Sequence, residues 1–522
     1  MPPLDPLPID PLIPGLVAAL QARPNAVVVA PPGAGKTTRI PPALVAADFL
    51  KNAEAKSPSR AVVLLQPRRV AARAAAARIG AERGWRLGEE VGYHIRFDNR
   101  TGPATRLRVL TEGILTRQLQ ADPFLEGVGC VILDEFHERG IHTDLALALL
   151  REVQASVRAD LRIVVMSATM DPRPVAEYLS DAHGPAPIFE GAGRMFPVEL
   201  EFLKRSDPAP VWEQSAAAVR GALAAGEASG HVLVFLPGIG EIRRTEALLG
   251  GIDAELHVLH SSVTNEAQDR ALRPSARRKL ILATNIAETS LTIDGVRTVV
   301  DSGLARVLMN DPRLGIDRLE LRRISRASAV QRAGRAGRTA PGRCLRLWTR
   351  SEDAALEERE TPEIHRIDLA ATVLALRAFG AGDPARFGWF EPPRPEALAR
   401  ADALLTMLGA IDKRGALTPL GRRLAALPLH PRIGRLLLAG AEAGLLREAA
   451  TLAALLSERE ILAAGHQARR RQAAWEGDCD LLDRLDLLQH AGQAPDLDPQ
   501  AVRAVERVRD DLIEVARRIL KV

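Results

Sequence analysis

Cysteine is scarce in this 522-residue chain, and long apolar runs are absent. The three cysteines, Cys130, Cys344 and Cys479, lie far apart without paired spacing. This excludes a disulfide framework and a cysteine-based zinc site, and it favours a reducing compartment. No stretch approaches the ~18 consecutive apolar residues of a membrane span. The N-terminus, MPPLDPLPIDPLIPG, lacks the basic start and apolar core of a signal peptide, so we expect a cytoplasmic protein with no membrane partner.

A strong charge of either sign is also lacking, because 70 Lys and Arg residues stand against 65 Asp and Glu residues, a net charge of +5. Arginines cluster locally, in QPRRVAARAAAAR and QRAGRAGR, which is typical of proteins with phosphate-bearing partners. Composition of this kind carries little weight by itself. The length exceeds what one compact core accommodates, so we expect three or four domains.

Short apolar runs alternate with Ala-, Leu- and Arg-rich helical stretches in the first two thirds of the chain. Continuous apolar strands joined by helices indicate parallel sheets covered on both faces. The series restarts near residue 198, so we predict an α/β fold with two tandem parallel-sheet domains, residues 1–195 and 196–355. The runs are AVVVA (26–30), AVVLL (61–65), CVIL (130–133), RIVVM (162–166), HVLVFL (231–236), KLILAT (279–284) and RTVV (297–300).

The strand runs stop near residue 360, and the remaining sequence is predicted to be helical. We divide it into a region at 356–430, with a tight turn or small wing at DKRGALTPLG, and an α-helical domain at 431–522. The last residues, AVRAVERVRDDLIEVARRILKV, continue a periodic pattern to the end of the chain without a stop signal. We therefore expect this chain to be part of a longer protein.

A glycine-rich turn, VVVAPPGAGKTT, follows the first predicted strand directly. Backbone N–H groups of such a turn can wrap a phosphate, and the dipole of the next helix adds to the attraction. Lys36 would reach the β- and γ-phosphates, and the Thr37 hydroxyl would ligate Mg²⁺. Ala30 stands where the full pattern has glycine, which is a small departure. The predicted nucleotide-binding residues of the turn are Gly33, Ala34, Gly35, Lys36, Thr37 and Thr38.

The stretch VILDEFHERG places two acids at the end of another predicted strand. A phosphate loop needs an acidic site on a neighbouring strand to hold Mg²⁺, so we predict Asp134 and Glu135 at the metal, with Glu135 also as the base for the attacking water. Metal binding by His137 together with the acids is the weaker alternative. His142 is the one other ligand at suitable spacing, and Mg²⁺ prefers oxygen.

Nine motifs in one order carry a family resemblance. They are GAGKTT (33–38), QPRRVAA (66–72), TEGILTR (111–117), DEFHER (134–139), SAT (167–169), VFLPG (234–238), LHSS (259–262), ATNIAETSLTIDG (283–295) and QRAGRAGR (331–338). The series resembles the DEAH/RHA group of superfamily 2 helicases, most closely its bacterial HrpB-type branch, in which Phe replaces Ala in the acidic motif. The resemblance spans residue 25 to about 430 and implies two RecA-like domains, then a winged helix and a helical ratchet-like domain.

The resemblance implies that ATP binds between the two RecA-like domains. Arg335 and Arg338, three residues apart, resemble the family's arginine fingers, and Gln331 would position water. The alternative is a basic surface helix, but glycines at 334 and 337 argue against it because glycine weakens a helix unless something approaches closely. Ser167 and Thr169 resemble the family's link between the ATP and nucleic-acid sites, although a strand-end hydroxyl cap would look the same. His137 becomes a candidate coupler to the second domain.

For the nucleobase, the resemblance suggests Arg78 on one face, with Thr292 and Asp294 at the ribose. Leu272 stands where many relatives have an aromatic residue on the opposite face. We expect weak base readout, and therefore use of several nucleoside triphosphates besides ATP.

The resemblance also implies a track for single-stranded nucleic acid across both α/β domains. Such contacts reach phosphate and sugar and do not read sequence. Between the second-domain motifs, LARVLMNDPRLGIDRLELRRI predicts a β-hairpin at about 304–324, which would separate strands or guard the 5′ end; a plain surface hairpin is the alternative. The family's OB-fold is not expected in this chain. The predicted track residues, each of which could instead be a solvated surface group, are Arg68, Arg69, Arg96, Thr111, Ser261, Thr284 and Asn285.

These observations predict an ATP- and Mg²⁺-dependent RNA helicase or translocase that moves along a single strand, 3′ to 5′ as the resemblance implies. A DNA helicase is the first alternative. A non-catalytic nucleic-acid-binding scaffold is the second, although it would be expected to lack Lys36, Asp134, Glu135 or Arg338, and all four are present. A signalling or transport NTPase would not explain QPRRVAA or the hairpin. We expect a monomer, and no residue pattern identifies a protein activator.

Overall fold

The structure is a computed structural model that describes residues 4–50, 60–168, 170–193, 196–224, 230–288, 293–311, 315–458, 460–462, 479–490 and 497–520. It divides into two compact units. The first comprises Met1–Asp368 and Gly388–Pro393, and the second comprises Leu369–Phe387 and Arg394–Val522. No helix in the described ranges is long and apolar enough to cross a membrane.

The first unit begins with an eight-stranded sheet of order β4-β3-β5-β2-β6-β7-β1-β8, parallel except for the β3–β4 pair. Its strands are β1 (Asn25–Val29), β2 (Ala61–Gln66), β3 (Val91–Ile95), β4 (Asp98–Arg100), β5 (Leu107–Thr111), β6 (Val128–Leu133), β7 (Arg162–Ser167) and β8 (Ile188–Glu190). Its helices are α1 (Ile13–Ala22), α2 (Lys36–Val45), α3 (Arg69–Arg83), α4 (Glu112–Ala121), α5 (Ile141–Ser156) and α6 (Arg173–Tyr178).

A second, six-stranded parallel sheet follows, with the order β11-β12-β10-β13-β16-β9. Its strands are β9 (Val198–Leu203), β10 (His231–Phe235), β11 (Glu255–Leu259), β12 (Lys279–Ala283), β13 (Val296–Asp301) and β16 (Gly342–Thr349). Between β13 and β16, β14 (Leu304–Asp311) and β15 (Ile316–Arg323) pair as an antiparallel hairpin. The helices are α7 (Val211–Ala224), α8 (Ile239–Leu248), α9 (Asn265–Leu272), α10 (Arg326–Ala333) and α11 (Arg350–Ala354).

The apolar strand runs form the middle of both sheets because both faces are buried. In β10, Leu233 and Phe235 belong to one core cluster, whereas Val232 and Val234 belong to another. Successive side chains of a strand point to opposite faces, so this division shows that the sheet is covered on both sides. The prediction of two parallel-sheet domains is confirmed.

Seven strands of the two sheets were not predicted from apolar runs. They are β3, β4, β5, β8, β9, β11 and β16. Several of them lie toward sheet edges, where only part of each strand is buried and polar residues alternate with apolar ones. In β16, for example, Cys344, Arg346 and Trp348 are buried, and the residues between them are half-buried. Such a pattern gives no continuous apolar run.

The second unit is helical, as predicted. Its helices are α12 (Ala370–Phe379), α13 (Pro395–Met407), α14 (Pro419–Ala426), α15 (Pro431–Glu442), α16 (Leu446–Ser457), α17 (Asp480–Gln489) and α18 (Pro499–Leu520). A single antiparallel bridge, Ile411 to Leu417, lies at the predicted wing between α13 and α14. The buried face of α18 is formed by Ala501, Val505, Val508, Leu512 and Ala516, which recur at helical spacing.

Candidate nucleotide-hydrolysis site

The glycine-rich turn connects β1 to α2 at the carboxyl end of the sheet, where open α/β sheets bind their ligands. Gly33 and Gly35 have positive φ angles of 83° and 98°. At Gly35 a Cβ atom would come within 2.7 Å of Leu7 Cδ1, and the positive φ angle disfavours any residue with a side chain. Helix α2 begins at Lys36, which turns the first N–H groups of the helix toward the loop. Ala34, Thr37 and Thr38 complete the segment that the sequence predicts to surround a phosphate.

Lys36 lies folded against its own loop and is buried. Its Nζ atom donates hydrogen bonds to the carbonyl oxygens of Ala30 and Pro31. Burial lowers the pKa of Lys36, while the nearby carboxylates of Glu135 and Asp134 act in the opposite direction. The loop therefore holds a positive group beside two acids, next to N–H groups suited to an anion.

Asp134 and Glu135 follow the last residue of β6, as the sequence predicted for a strand end. The Thr37 hydroxyl donates a 2.6 Å hydrogen bond to Asp134 Oδ2, and Gln66 Nε2 donates a 2.7 Å bond to the same oxygen. Burial, followed by the charge of Glu135, raises the pKa of Asp134 to about 6, and the Thr37 hydrogen bond opposes this shift. The predicted hydroxyl and carboxylate are thus brought together.

Gln66 is a site residue that sequence reasoning missed, although its motif was recognised. It is the last residue of β2, which pairs with β6, and so it reaches Asp134 from the neighbouring strand. The signal was available, because a polar residue ends an otherwise apolar strand run.

The donor set near the loop fits Mg²⁺ only when a nucleotide supplies further ligands. Thr37 Oγ1 and Asp134 Oδ2 are hard oxygen donors of the kind that Mg²⁺ prefers. Among the described residues, no group of three or more His, Cys, Asp or Glu side chains could hold a metal ion. Mg²⁺ commonly keeps one or two protein ligands and takes the rest from phosphates and water, which agrees with this sparse set.

Arginines of the second sheet's domain face these acids. The charge of Glu135 acts on both Arg335 and Arg338. Burial lowers the pKa of Arg338 to about 10, against the opposing charges of Glu135 and Asp294. Arg335 is buried, and its Nε atom donates a 2.8 Å hydrogen bond to the Glu288 carbonyl oxygen. The two predicted arginine fingers therefore lie within electrostatic reach of Glu135.

The third arginine of QRAGRAGR has different surroundings. Arg332 donates to Glu288 Oε2 at 2.9 Å and to Asp301 Oδ1 at 3.0 Å. Its guanidinium also lies 4.9 Å from the centre of the Phe235 ring. Arg332 is therefore an interior residue of the second domain, and together with Gln331 it forms part of the wall of a cavity.

That cavity has a volume of about 690 Å³ and lies between the two α/β domains of the first compact unit. It is bounded by the end of the acidic motif, the base of the β-hairpin and the start of α10. Its lining includes Arg68, His137, Asn285, Arg306, Gln331 and Glu363.

His137 lies next to the end of β7. The backbone N–H of Ala168 donates to its Nδ1 atom at 3.4 Å, and Ser167 Oγ lies 3.4 Å from the same nitrogen. Glu135 Oε2 is 3.7 Å from it. His137 and Ser167, predicted separately, therefore form one group. Thr169 lies outside the described residues.

The predicted base-binding residues differ in exposure and in their contacts. Arg78 is exposed, and its Nε atom donates a hydrogen bond to Glu82 Oε1, one turn further along α3. Leu272 is partly buried and packs against the core of the second domain. Asp294 is exposed, and Thr292 lies outside the described residues.

Two of the predicted track residues meet across the domains. Arg68 Nη1 donates to the carbonyl oxygen of Asn285, and its Nη2 donates to Glu138 Oε2 at 3.1 Å. Thr284, the neighbour of Asn285, is buried.

The other predicted track residues occupy different positions. Arg69 and Ser261 are exposed, at the start of α3 and after β11 respectively. Thr111 ends β5 and pairs in register with Gln66. The Arg96 guanidinium lies 4.7 Å from the centre of the Phe97 ring.

Comparisons with known proteins agree with this architecture. Family models match at residues 15–178 (DEAD/DEAH box helicase), 216–340 (helicase conserved C-terminal domain), 403–429 (helicase associated domain HA2, winged-helix) and 430–511 (helicase associated domain HA2, ratchet-like). The predicted boundaries at 195, 355 and 430 remain predictions.

A curated relative, the ATP-dependent RNA helicase HrpB of Escherichia coli strain K12, is 40% identical over 492 residues, which are 92% of this chain and 59% of that protein. Two crystal structures of E. coli HrpB match 99% of this chain at 37% identity, with TM-scores of 0.84 and 0.79 and coverage of 61% and 59% of those chains. The chain thus spans about three fifths of the length of these relatives.

Proposed function

Because the chain belongs to the DEAH/RHA group of DEAD/DEAH-box helicases, we propose that it is an ATP-dependent RNA helicase or translocase. One observation carries the proposal: Thr37 and Asp134 meet beneath the phosphate loop while Arg335 and Arg338 of the second domain lie within electrostatic reach of Glu135. A site divided in this way between two domains couples nucleotide binding to domain closure. We propose RNA as the target because a curated relative that matches 92% of this chain is named an RNA helicase.

In the proposed reaction, the N–H groups of residues 33–36 and the Lys36 ammonium hold the β- and γ-phosphates of ATP. Thr37 and Asp134 would hold Mg²⁺, which when bound would supply positive charge to the transferring phosphoryl group. Glu135 accepts the proton of the attacking water, which Gln331 positions.

Arg335 and Arg338 stabilise the charge that develops on the equatorial oxygens. Their burial strengthens this effect, because fewer water molecules screen the guanidinium charges. After hydrolysis the charge between the domains changes, and the two domains separate. His137 and Ser167 lie together at the end of β7, and their movement links this domain separation to the nucleic-acid site.

The base of the nucleotide is expected to contribute little to specificity. Arg78 is exposed and Leu272 offers no aromatic ring, so several nucleoside triphosphates should support activity. The nucleic acid is held along its backbone by residues such as Arg68 and Asn285, and movement is 3′ to 5′. We expect the motor to act as a monomer, because both halves of the proposed site come from one chain.

Glu135→Gln tests the assignment of the base. We expect ATP turnover to fall on the order of 10²–10⁴-fold, the contribution typical of a general base, while affinity for a fluorescent ATP analogue changes little. Glu126→Gln, an exposed acid in the same domain, is the matched control and should hydrolyse ATP like the wild type. Wild-type turnover in the Glu135 variant would refute the role of Glu135.

Stimulation of hydrolysis by matched single-stranded RNA and DNA separates the two target classes. We expect stronger stimulation by RNA, and strand separation of a duplex with a 3′ overhang. Equal or greater stimulation by DNA would favour a DNA helicase. The absence of any hydrolysis would favour a non-catalytic nucleic-acid-binding scaffold.

A further inference from the structure

The acidic loop, residues 134–140, contains two residues in a backbone conformation that residues other than glycine rarely adopt. Glu135 has a φ angle of 52° and Arg139 one of 48°, with a 3-10 turn at Phe136–Glu138 between them. Non-glycine residues in the left-handed region cost free energy and persist only when their surroundings hold them. The orientation of the Glu135 carboxylate therefore depends on contacts that fix the two ends of this turn.

Arg139 is held by the nearby Asp144 and by two distant residues, Glu363 and Glu391. It forms hydrogen bonds to both carboxylate oxygens of Asp144, at 3.0 and 2.9 Å, and a further bond of 2.9 Å to Glu391 Oε2. The other oxygen of Glu391 is 2.7 Å from His365 Nε2. The Arg139 carbonyl oxygen accepts a 3.1 Å bond from the Glu363 N–H.

Phe136 is held by a ring from the same distant segment. Its side chain is fully buried, and its centroid lies 5.6 Å from that of Phe390 with the planes at 63°. Phe390 also meets Tyr178 edge-on at 5.4 Å and lies under the Arg139 guanidinium at 4.8 Å. The Tyr178 hydroxyl donates a 2.5 Å hydrogen bond to the Gly388 carbonyl oxygen. Phe390 is thus the shared partner of three side chains.

We propose that residues Gly388–Pro393, here called the clasp, position the acidic loop for hydrolysis, with Phe390 and Glu391 as the positioning residues. Phe390 fixes Phe136, the neighbour of Glu135, and Glu391 fixes Arg139 at the other end of the turn. Both act through the acidic loop, by their contacts with Phe136 and Arg139. The inference rests on the proposed function, since it concerns the geometry of Glu135 as the base.

The clasp is covalently connected at both ends to the second compact unit. The chain enters it from Phe387 and leaves it at Arg394, and both of these residues belong to the second compact unit. The clasp itself belongs to the first unit, with the acidic loop.

Steady-state ATP hydrolysis by the full chain, with Mg²⁺ and saturating single-stranded RNA, tests this inference. Phe390→Leu keeps an apolar side chain but removes the ring, and we expect kcat to fall ~10-fold, since small misplacements of catalytic groups are costly. KM and the affinity for a fluorescent ATP analogue should stay within about twofold, which is the signature of an effect on the reaction step. Glu391→Gln should lower kcat ~3-fold, because Arg139 keeps Asp144.

Two further measurements separate positioning from a general loss of stability. The double variant Phe136→Leu/Phe390→Leu should lose no more kcat than the more affected single variant, because the two rings act as one unit. Glu396→Gln, an exposed acid just beyond the clasp, is the control and should behave like the wild type. Melting temperatures of all variants are recorded in parallel.

An unchanged kcat in both Phe390→Leu and Glu391→Gln, with or without a lower melting temperature, would overturn the inference. Additive losses in the double variant would overturn the Phe136–Phe390 route. An inactive wild type would overturn the proposed function and this inference with it, whereas an active wild type with unaffected variants overturns the inference alone.

Discussion

Replacing Arg332 by methionine should destabilise the second α/β domain severely, although the residue belongs to the same motif as the proposed arginine fingers. The Arg332 side chain is 1% exposed and is bonded to Asp301, which is fully buried, and to Glu288. Methionine fills similar volume without charge, so the main loss is electrostatic. Removing one partner of a buried ion pair typically costs ~3–5 kcal/mol, because the remaining charge stays uncompensated.

The pH dependence of the variant gives a second signature. Burial raises the pKa of Asp301, and the charge of Arg332 opposes that rise. Without Arg332 the folded-state pKa should rise further above the unfolded value, so the folded state binds the proton more tightly. A carboxyl group with a raised folded-state pKa loses stability as pH increases through the window between the two values. Arg332→Met should therefore be less destabilising in mild acid than at neutral or alkaline pH.

Urea unfolding followed by tryptophan fluorescence is a suitable assay, since Trp348 is 1% exposed and lies on β16 of the second sheet. Arg322→Met is the matched control, because Arg322 pairs with Glu320 on the exposed hairpin and such pairs contribute only ~0–1 kcal/mol. Adding Glu288→Gln and Asp301→Asn to Arg332→Met should recover much of the loss, since neutralising the whole cluster removes the stranded charges. A loss no greater than that of Arg322→Met would refute the reasoning.

Two further predictions concern the first domain. Burial raises the pKa of Glu112 from its usual value of 4.5 to about 8, so the free energy of unfolding of the wild type should fall by up to ~1.4 kcal/mol per pH unit between these two pH values. Glu112→Gln should lack this slope in denaturant titrations at several pH values. Parallel pH profiles of the two proteins would contradict the prediction. Gln66→Ala removes the 2.7 Å bond to Asp134, and kcat/KM for ATP should fall ~10-fold, the effect of losing a hydrogen bond to a charged group. An unchanged kcat/KM would show that Thr37 alone suffices to orient Asp134.

The middle strands and the loops after them could be predicted from sequence because their signals are local. A run such as CVIL followed by Asp134 and Glu135 encodes both a buried strand and the polar residues at its end. The glycine-rich turn likewise carries its own backbone requirement, which the positive φ angles of Gly33 and Gly35 bear out. The partly buried strands, such as β11 and β16, were missed because their apolar residues are interrupted by polar ones.

The roles of neighbouring residues within one motif could not be separated in this way. In QRAGRAGR, Arg332 and Arg335 are both basic and buried, yet Arg332 is paired with two acids of its own domain, whereas the charge of Glu135 from the first domain acts on Arg335. Which of them is interior depends on where Asp301 ends β13 and on the domain that approaches from outside. A single motif does not contain that information.

Phe136 illustrates the same division most clearly. By itself the sequence determined the two parallel-sheet domains, the phosphate loop and the acidic pair, because periodicity and strand-end chemistry act over a few residues. Only the tertiary structure decided that Phe136 packs against Phe390, and that Arg139 and Glu391, 252 positions apart, form an ion pair. The physical reason is that side-chain packing and buried charge pairs depend on which surfaces the folded chain brings together.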